Sequence, residues 1–309
     1  MRKIVVCGPI DQSGLDILQS RFEVRVVESN DEHRFATELR KAAGAILKYR
    51  PLTSDHLEHA PDLEIVSRHG VGYDSVAVDA LRHRGIRLTI TNGANAVAVA
   101  EHTVAMILAT LKGLVGANAS VRAGKWHGDL PLISDLAGKR VLVIGAGKIG
   151  QGVMQRLAGF ECDVAYHDPG LAVAPEPEFG LRERDLPEAL AQADIVSLHV
   201  PLMAATRYLV DPFACKPGVI IINTARGGLV DEQALARALE SGHVGAVGLD
   251  VFEEEPLQGR PALPDNGRSV LTPHVAALSD TTNRRMAVHA ATNIVRFFDG
   301  ALLEQDVIV

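Results

Sequence analysis

The stretch Val141-Leu-Val-Ile-Gly-Ala-Gly-Lys-Ile-Gly150 decides how the chain folds. Its four opening apolar residues, with no polar alternation, predict a strand covered on both faces of a parallel sheet. They run directly into G-x-G-x-x-G, and Ile149–Ala158 follows as a helix. Each glycine has its own task. Gly145 allows the tight turn, Gly147 lets the backbone approach a pyrophosphate, and Gly150 lets helix and strand pack closely. Lys148 and Ile149 open the helix, whose free N–H groups and partial positive charge suit phosphate. The next apolar run ends on Asp168, 18 residues beyond Gly150, where a carboxylate would hold a ribose 2′-hydroxyl. Asp168 would repel a 2′-phosphate, and no arginine follows before Arg182, so NAD is expected over NADP.

Working outward, apolar runs recur at Val141–Gly147, Asp163–Asp168, Asp194–Val200, Val219–Ala225, Gly245–Phe252 and Val270–Val275. Helical stretches alternate with them, as in Asp231–Ser241, capped by Asp231 and followed by Gly242. This alternation predicts a doubly wound parallel sheet. Shorter runs at Lys3–Cys7, Val24–Val27, Gly44–Leu47, Glu64–Ser67 and Arg87–Ile90 predict a second, smaller α/β unit. A long apolar helix is expected from Val99 to Val115, and a last helix opens at Ser279-Asp280 and should pack back on the N-terminal unit. The expected division is 1–97 with 281–309 around an inserted 98–280. Two chain crossings would leave a cleft for a small ligand.

Bulk properties narrow the function classes. The 309 residues carry a formal charge of −7 and no Lys/Arg cluster, which argues against nucleic acid and anionic membrane surfaces as partners. No apolar run approaches the length that spans a bilayer. Cys7, Cys162 and Cys215 are sparse and unpaired in spacing, which fits a reducing, cytoplasmic setting and no metal site. An anionic substrate must then be met by local positive groups.

Three polar residues stand at the carboxyl ends of later strands, where open α/β sheets bind ligands. Arg226 lies in Thr224-Ala225-Arg226-Gly-Gly, Glu255 in Asp250-Val-Phe-Glu-Glu-Glu255-Pro, and His274 in Leu271-Thr-Pro-His274. Together with His69-Gly-Val-Gly-Tyr-Asp74, Ala100-Glu-His102, His199-Val-Pro-Leu202 and Asn223–Asp231, these stretches resemble the D-isomer-specific 2-hydroxyacid dehydrogenase family over essentially the whole chain. The resemblance implies a Rossmann-type nucleotide domain inserted into a smaller flavodoxin-like α/β substrate domain. It also implies homodimerisation through the nucleotide domain, with the Trp126 segment in the dimer arm.

The implied reaction moves a hydride between NAD and the oxygen-bearing carbon of a small 2-hydroxy or 2-keto acid. Negative charge then builds on the carbonyl oxygen, which calls for a proton donor and a fixed cation. By resemblance His274 is the acid–base, Glu255 holds it, and Arg226 clamps the substrate. Val71 and Gly72 offer backbone N–H groups to the carboxylate. His199, Val200, Pro201, Thr224, Ala225 and Asp250 line the cofactor, Asp250 at the carboxamide. Phosphoglycerate, glycerate, glyoxylate and sulfolactate types stay open as substrates. Lys48, Arg50 and Arg68 could place a further positive group over the distal end of a dianion. His69, His102 and His167 carry no assigned chemistry. Leu202-Met203 departs from the family's usual polar residues there. Glu255 speaks against formate oxidation, and the lack of an appended regulatory domain against the serine-feedback type of phosphoglycerate dehydrogenase. A phosphite-type dehydrogenase and a non-catalytic NAD-sensing interaction protein remain as alternatives.

Overall fold

The computed structural model describes residues 1–126, 132–171, 179–264, 267 and 269–309. The chain divides into two compact units, Met1–Asn95 with Ala277–Val309, and Ala96–Ala276.

The first unit carries a five-stranded parallel sheet of β1 (Lys3–Cys7), β2 (Glu23–Val27), β3 (Gly44–Leu47), β4 (Ile65–Arg68) and β5 (Arg87–Thr89). Its spatial order, β2-β1-β3-β4-β5, reverses direction between β1 and β3. That is the flavodoxin-like order. One face is covered by Phe35, Leu39, Leu57 and Leu81 from α2 (Glu32–Leu39), α3 (Ser54–Glu58) and α4 (Val78–His83). The other is covered by Leu18 of α1 (Gln12–Gln19) and by Ala290, Ala291 and Ile294 of the closing helix α10 (Asp280–Phe298). Both central strands are therefore buried on both faces, which is why they read as unbroken apolar runs. Ser279 caps α10 by accepting from Thr282 N–H.

The second unit holds a seven-stranded parallel sheet: β6 (Arg140–Ile144), β7 (Asp163–His167), β8 (Leu181–Arg182), β9 (Ile195–Leu198), β10 (Val219–Asn223), β11 (Val244–Leu249) and β12 (Ser269–Leu271). The order is β12-β11-β10-β9-β6-β7-β8, the doubly wound arrangement with its switch between β6 and β9. Helices α5 (Ala96–Leu111) and α7 (Lys148–Leu157) cover one face, α8 (Leu186–Gln192) and α9 (Glu232–Ser241) the other. Asp231 accepts from Ala234 N–H at the start of α9, and Gly242 ends it with φ 80°.

Two details differ from the sequence reading. The helix expected over Val99–Val115 breaks: Gly113 adopts φ 56°, and α6 (Leu114–Arg122) leaves at 62° to α5. The buried stripe ends at Leu111 and α6 buries nothing, so no packing holds the helix straight. No single helix among the described residues is long and apolar enough to cross a membrane. Three of the expected strands in the second unit also end two or three residues early; Gly145–Gly147, Thr224–Ala225 and Asp250–Phe252 are loop rather than strand.

Helix α1 approaches α10 closely at Gly14, where a side-chain carbon would come 2.7 Å from the Ala287 carbonyl oxygen. Gly14→Val should lower the midpoint of thermal unfolding, with a cost of about 1–3 kcal/mol from overpacking. An unchanged midpoint in calorimetry would contradict this helix contact.

Candidate active site

In the second unit, the loops beyond β6, β7, β9, β10, β11 and β12 lie along one carboxyl edge and carry every nucleotide and catalytic candidate except those on the first unit. At the β6 turn Gly145 has φ 95°, and a Cβ there would lie 2.6 Å from the His199 carbonyl oxygen. A Cβ on Gly150 would overlap the Gly145 carbonyl oxygen at 1.9 Å, so only glycine lets α7 start this close to the strand. Gly147 faces open space, with nothing within 4 Å of a Cβ. Its openness leaves room for a pyrophosphate against the first-turn N–H groups of Lys148 and Ile149. Asp168 follows β7. Its Oδ2 accepts from Ala146 N–H at 2.9 Å and its Oδ1 from Gly170 N–H at 3.0 Å, which fixes the carboxylate beside the glycine turn. Arg182 donates to the Asp168 backbone carbonyl at 2.7 Å rather than to the carboxylate. These residues fit a dinucleotide.

His199 begins the loop after β9. Its Nε2 shares a 2.8 Å hydrogen bond with Ser197 Oγ, and burial drives its pKa down to about 3, so the ring is neutral. Its backbone N–H donates to the Ile144 carbonyl at 2.7 Å, tying Val200 and Pro201 to the end of β6. Thr224 is anchored through its Oγ1, 2.9 Å from Thr103 Oγ1 on α5. The Asn223 side chain bonds both Ala225 N–H and the Arg226 carbonyl, which fixes the loop carrying the guanidinium.

Glu255 and His274 meet directly, with Nδ1 of the imidazole 2.6 Å from Oε2 of the carboxylate. Phe252 N–H donates to the other carboxylate oxygen at 2.9 Å. The bond from Glu255 raises the His274 pKa against the opposing effect of burial, and the Arg226 charge opposes the rise. Burial pulls Glu255 upward, but the hydrogen bonds from His274 and Phe252 and the charges of His274 and Arg226 outweigh it and leave its pKa lowered. The His274 side chain stays 51% exposed, so its second ring nitrogen is open to a ligand.

The sequence reading missed what holds His274. Its backbone sits in the left-handed region, φ 53°. The Asp250 carboxylate fixes that turn: Oδ1 accepts from Thr272 Oγ1 at 2.6 Å and Val275 N–H at 2.9 Å, and Oδ2 from Ala276 N–H at 2.9 Å. His102 Nε2 lies 3.1 Å from Thr272 Oγ1. The motif around His274 could have signalled this, since Thr272 and Asp250 flank it at two strand ends.

On the first unit, Lys48 follows β3, and Val71 and Gly72 lie in the loop after β4. Lys48 Nζ donates to the Pro9 carbonyl at 2.9 Å and Asn283 Oδ1 at 3.2 Å. Among the described residues neither Val71 nor Gly72 N–H has a hydrogen-bond acceptor. For Arg50 and Arg68 the structure shows partners within the protein. Arg50 is 7% exposed, paired with Glu32 and stacked 5.0 Å over the Phe35 ring. Arg68 is 8% exposed and donates to the Gly72 carbonyl at 2.9 Å and the Arg50 carbonyl at 3.4 Å. Both guanidiniums brace these loops.

Glu255→Gln removes the negative partner that holds the imidazolium. The His274 pKa, read by NMR from its ring resonances, should lie above the ordinary histidine value in the parent chain and fall in the variant. Equal pKa values in the two would show that the 2.6 Å contact does not set the titration.

The family profile described as D-isomer specific 2-hydroxyacid dehydrogenase, NAD binding domain, matches residues 104–276. The chain is 37% identical to the D-3-phosphoglycerate dehydrogenase of Mycobacterium leprae over 295 residues, 94% of this chain but 56% of that protein. It therefore spans about half the length of that relative. It is 35% identical to the glyoxylate reductase of Aeropyrum pernix, covering 96% of this chain and 93% of that one. The crystal structure of the TT0316 protein from Thermus thermophilus superposes with a TM-score of 0.88 at 35% identity, covering 99% of this chain and all of that one. With its nucleotide turn on a matched NAD-binding domain and its full-length likeness to such reductases, this chain belongs to the D-isomer-specific 2-hydroxyacid dehydrogenase family.

Proposed function

We propose that the chain is an NAD-dependent dehydrogenase that interconverts a small 2-hydroxy acid, of D configuration, and its 2-keto acid. The observation that carries this reading is the 2.6 Å His274–Glu255 pair on the sheet edge that also presents Arg226 and the glycine turn. Bound nicotinamide supplies or accepts the hydride. His274, raised in pKa by Glu255, gives its proton to the substrate carbonyl oxygen during reduction and takes it back during oxidation. The Arg226 guanidinium counters the charge gathering on that oxygen and binds the carboxylate, for which its planar fork suits better than an ammonium. The N–H groups of Val71 and Gly72, which have no acceptor among the described residues, are proposed for a substrate carboxylate, and Lys48 for the far end of the substrate. Asp250 is assigned to positioning His274. Both its oxygens are occupied and it is wholly buried, which fits that task better than the nicotinamide contact expected from the resemblance. The domain holding α5 to β12 takes the cofactor, and the other takes substrate.

Steady-state NADH oxidation with a panel of 2-keto acids tests the reading. Reduction needs the protonated imidazole, so kcat/KM should fall as pH rises through the raised His274 pKa. His274→Ala should lower kcat by about 10²–10⁴-fold while NADH affinity, measured by fluorescence titration, stays near the parent value. Parallel loss of turnover and NADH binding would make His274 a structural residue and defeat the assignment.

Homodimerisation is assigned to the second unit. Helix α6 buries no residue and exposes Leu114, Val115 and Val121, and Trp126 beyond it is 75% exposed. The segment just after Trp126 lies outside the described residues. Such an apolar arm suits a partner surface. Light scattering should give a dimer mass, and Val115→Glu with Val121→Glu should shift it toward the monomer; an unchanged dimer would place the interface elsewhere.

A further inference from the structure

Among the described residues, Glu161, Tyr208 and His274 are the non-glycine residues with left-handed backbone. Such a conformation persists only where the surroundings over-determine it. For Tyr208, with φ 52°, the surroundings are the loops that carry Arg226 and Glu255. Its N–H donates to the Gly228 carbonyl at 2.9 Å, in the loop after β10. Its hydroxyl donates to Glu253 Oε2 at 2.8 Å, in the loop after β11. Arg207 stacks 4.4 Å over the same ring and donates to the hydroxyl oxygen at 2.8 Å. With Arg207 donating to that oxygen, the hydroxyl proton is aimed at the Glu253 carboxylate.

Glu253 is held from a second side. Its Oε1 accepts from Glu232 N–H at 2.9 Å, at the start of α9, and Glu232 Oε1 accepts in return from Glu253 N–H. This exchange ties the backbone at 253 to the helix that follows the Arg226 loop. Burial and the charges of Glu253 and Glu255 raise the Glu232 pKa against the bond from Glu253 N–H. Three carboxylates therefore crowd one corner, and the bonds from Tyr208 and from two backbone N–H groups hold two of them there.

The neighbouring residue is fixed by close approach. A Cβ on Gly227 would lie 1.9 Å from the Phe252 carbonyl carbon, so the Arg226 loop presses directly on the backbone of Phe252. Phe252 N–H in turn donates to Glu255 Oε1, and Glu255 Oε2 meets the His274 ring. The direction of the Glu255 carboxylate thus follows from where Phe252 and Glu253 are held.

We propose that Tyr208 and Glu253 are positioning residues for Glu255: they lock the loop after β11 onto the loop after β10 and so keep the carboxylate on His274. The effect on turnover rests on the function proposed above, whereas the effect on His274 itself does not.

Three variants test this. Tyr208→Phe removes one hydroxyl and keeps the ring beneath Arg207. It alters none of the charges that face His274, which are those of Glu255, Arg226 and Asp250. Glu253→Ala removes both side-chain bonds. Glu253→Gln loses the charge but keeps an acceptor for Glu232 N–H and a polar partner for Tyr208. The measurements are the His274 pKa by NMR, kcat with NADH and the best-used 2-keto acid, and NADH affinity by fluorescence titration. Tyr208→Phe should lower kcat about three- to ten-fold, and Glu253→Ala about ten- to a hundred-fold. Both should bring the His274 pKa down toward the ordinary histidine value and leave NADH affinity near that of the parent. Glu253→Gln should recover most of both losses. An unchanged His274 pKa in Tyr208→Phe overturns the proposal, and that variant decides even where Glu253→Ala does not fold. A Glu253→Gln enzyme as impaired as Glu253→Ala also overturns it, because charge rather than position would then be at work. Turnover of no 2-keto acid by the parent defeats the proposed function, while the His274 pKa still decides the positioning role.

Discussion

The candidate site depends on one buried group, the Asp250 carboxylate. An ionised group removed from water costs several kcal/mol unless donors replace its hydration. Here the donors are the Thr272 hydroxyl and the backbone N–H groups of Val275 and Ala276, which flank His274 on both sides. Satisfying the carboxylate therefore forces the loop around it. The turn closes only if His274 enters the left-handed region, a cost of roughly 1–2 kcal/mol for a residue with a side chain. That cost is held in place by bonds the carboxylate needs anyway, including His274 N–H to the Asp250 carbonyl at 2.8 Å. The imidazole is aimed by the surroundings of a different residue.

Three histidines show how environment divides one side chain into different chemical species. His274 has a carboxylate on Nδ1 and an open second face, and its pKa rises. His199 and His69 are enclosed with no anionic partner among the described residues, and theirs fall to about 3 and about 4. Burial acts on all three in the same direction; the carboxylate partner decides the sign. Arg226 adds a restraint, since its charge favours the Glu255 anion but disfavours the His274 cation. The pair is thus set by opposing contributions, and its two protons belong to the couple rather than to either residue.

The parallel sheets were legible because strands buried on both faces have no polar alternation to confuse their reading, and because the glycine turn has a steric cause at each position. Arg226, Glu255 and His274 could be located as the polar residues past strand ends. What escaped was set by contacts distant in sequence. The bend at Gly113 depends on where neighbouring elements stop covering the helix. The two-residue strand β8 has too little sequence to carry a pattern. Arg50 and Arg68 stayed open between ligand and structural roles because nothing local reveals that Glu32, Phe35 and the Gly72 carbonyl wait for them. Asp250 was visible as a residue, but its donors come from the next strand end, so its task was not.

The proposed binding of anions by a chain of net charge −7 looks contradictory only if the global field is taken as the relevant one. At physiological ionic strength surface charges are screened over about 8 Å, whereas a bound anion answers to donors at hydrogen-bond distance. Those donors here are mostly not formal charges. The donors proposed for it are first-turn N–H groups of α7 beside an open Gly147, and the N–H groups of Val71 and Gly72, which have no acceptor among the described residues, with Arg226 and Lys48 as the cations. Backbone donors cannot titrate and lose no side-chain entropy on binding, so a surface that is acidic overall can still hold phosphate and carboxylate tightly. Parallel sheets suit this, because every crossover returns the chain and leaves its strand-to-helix turns, with their unpaired N–H groups, on the same edge.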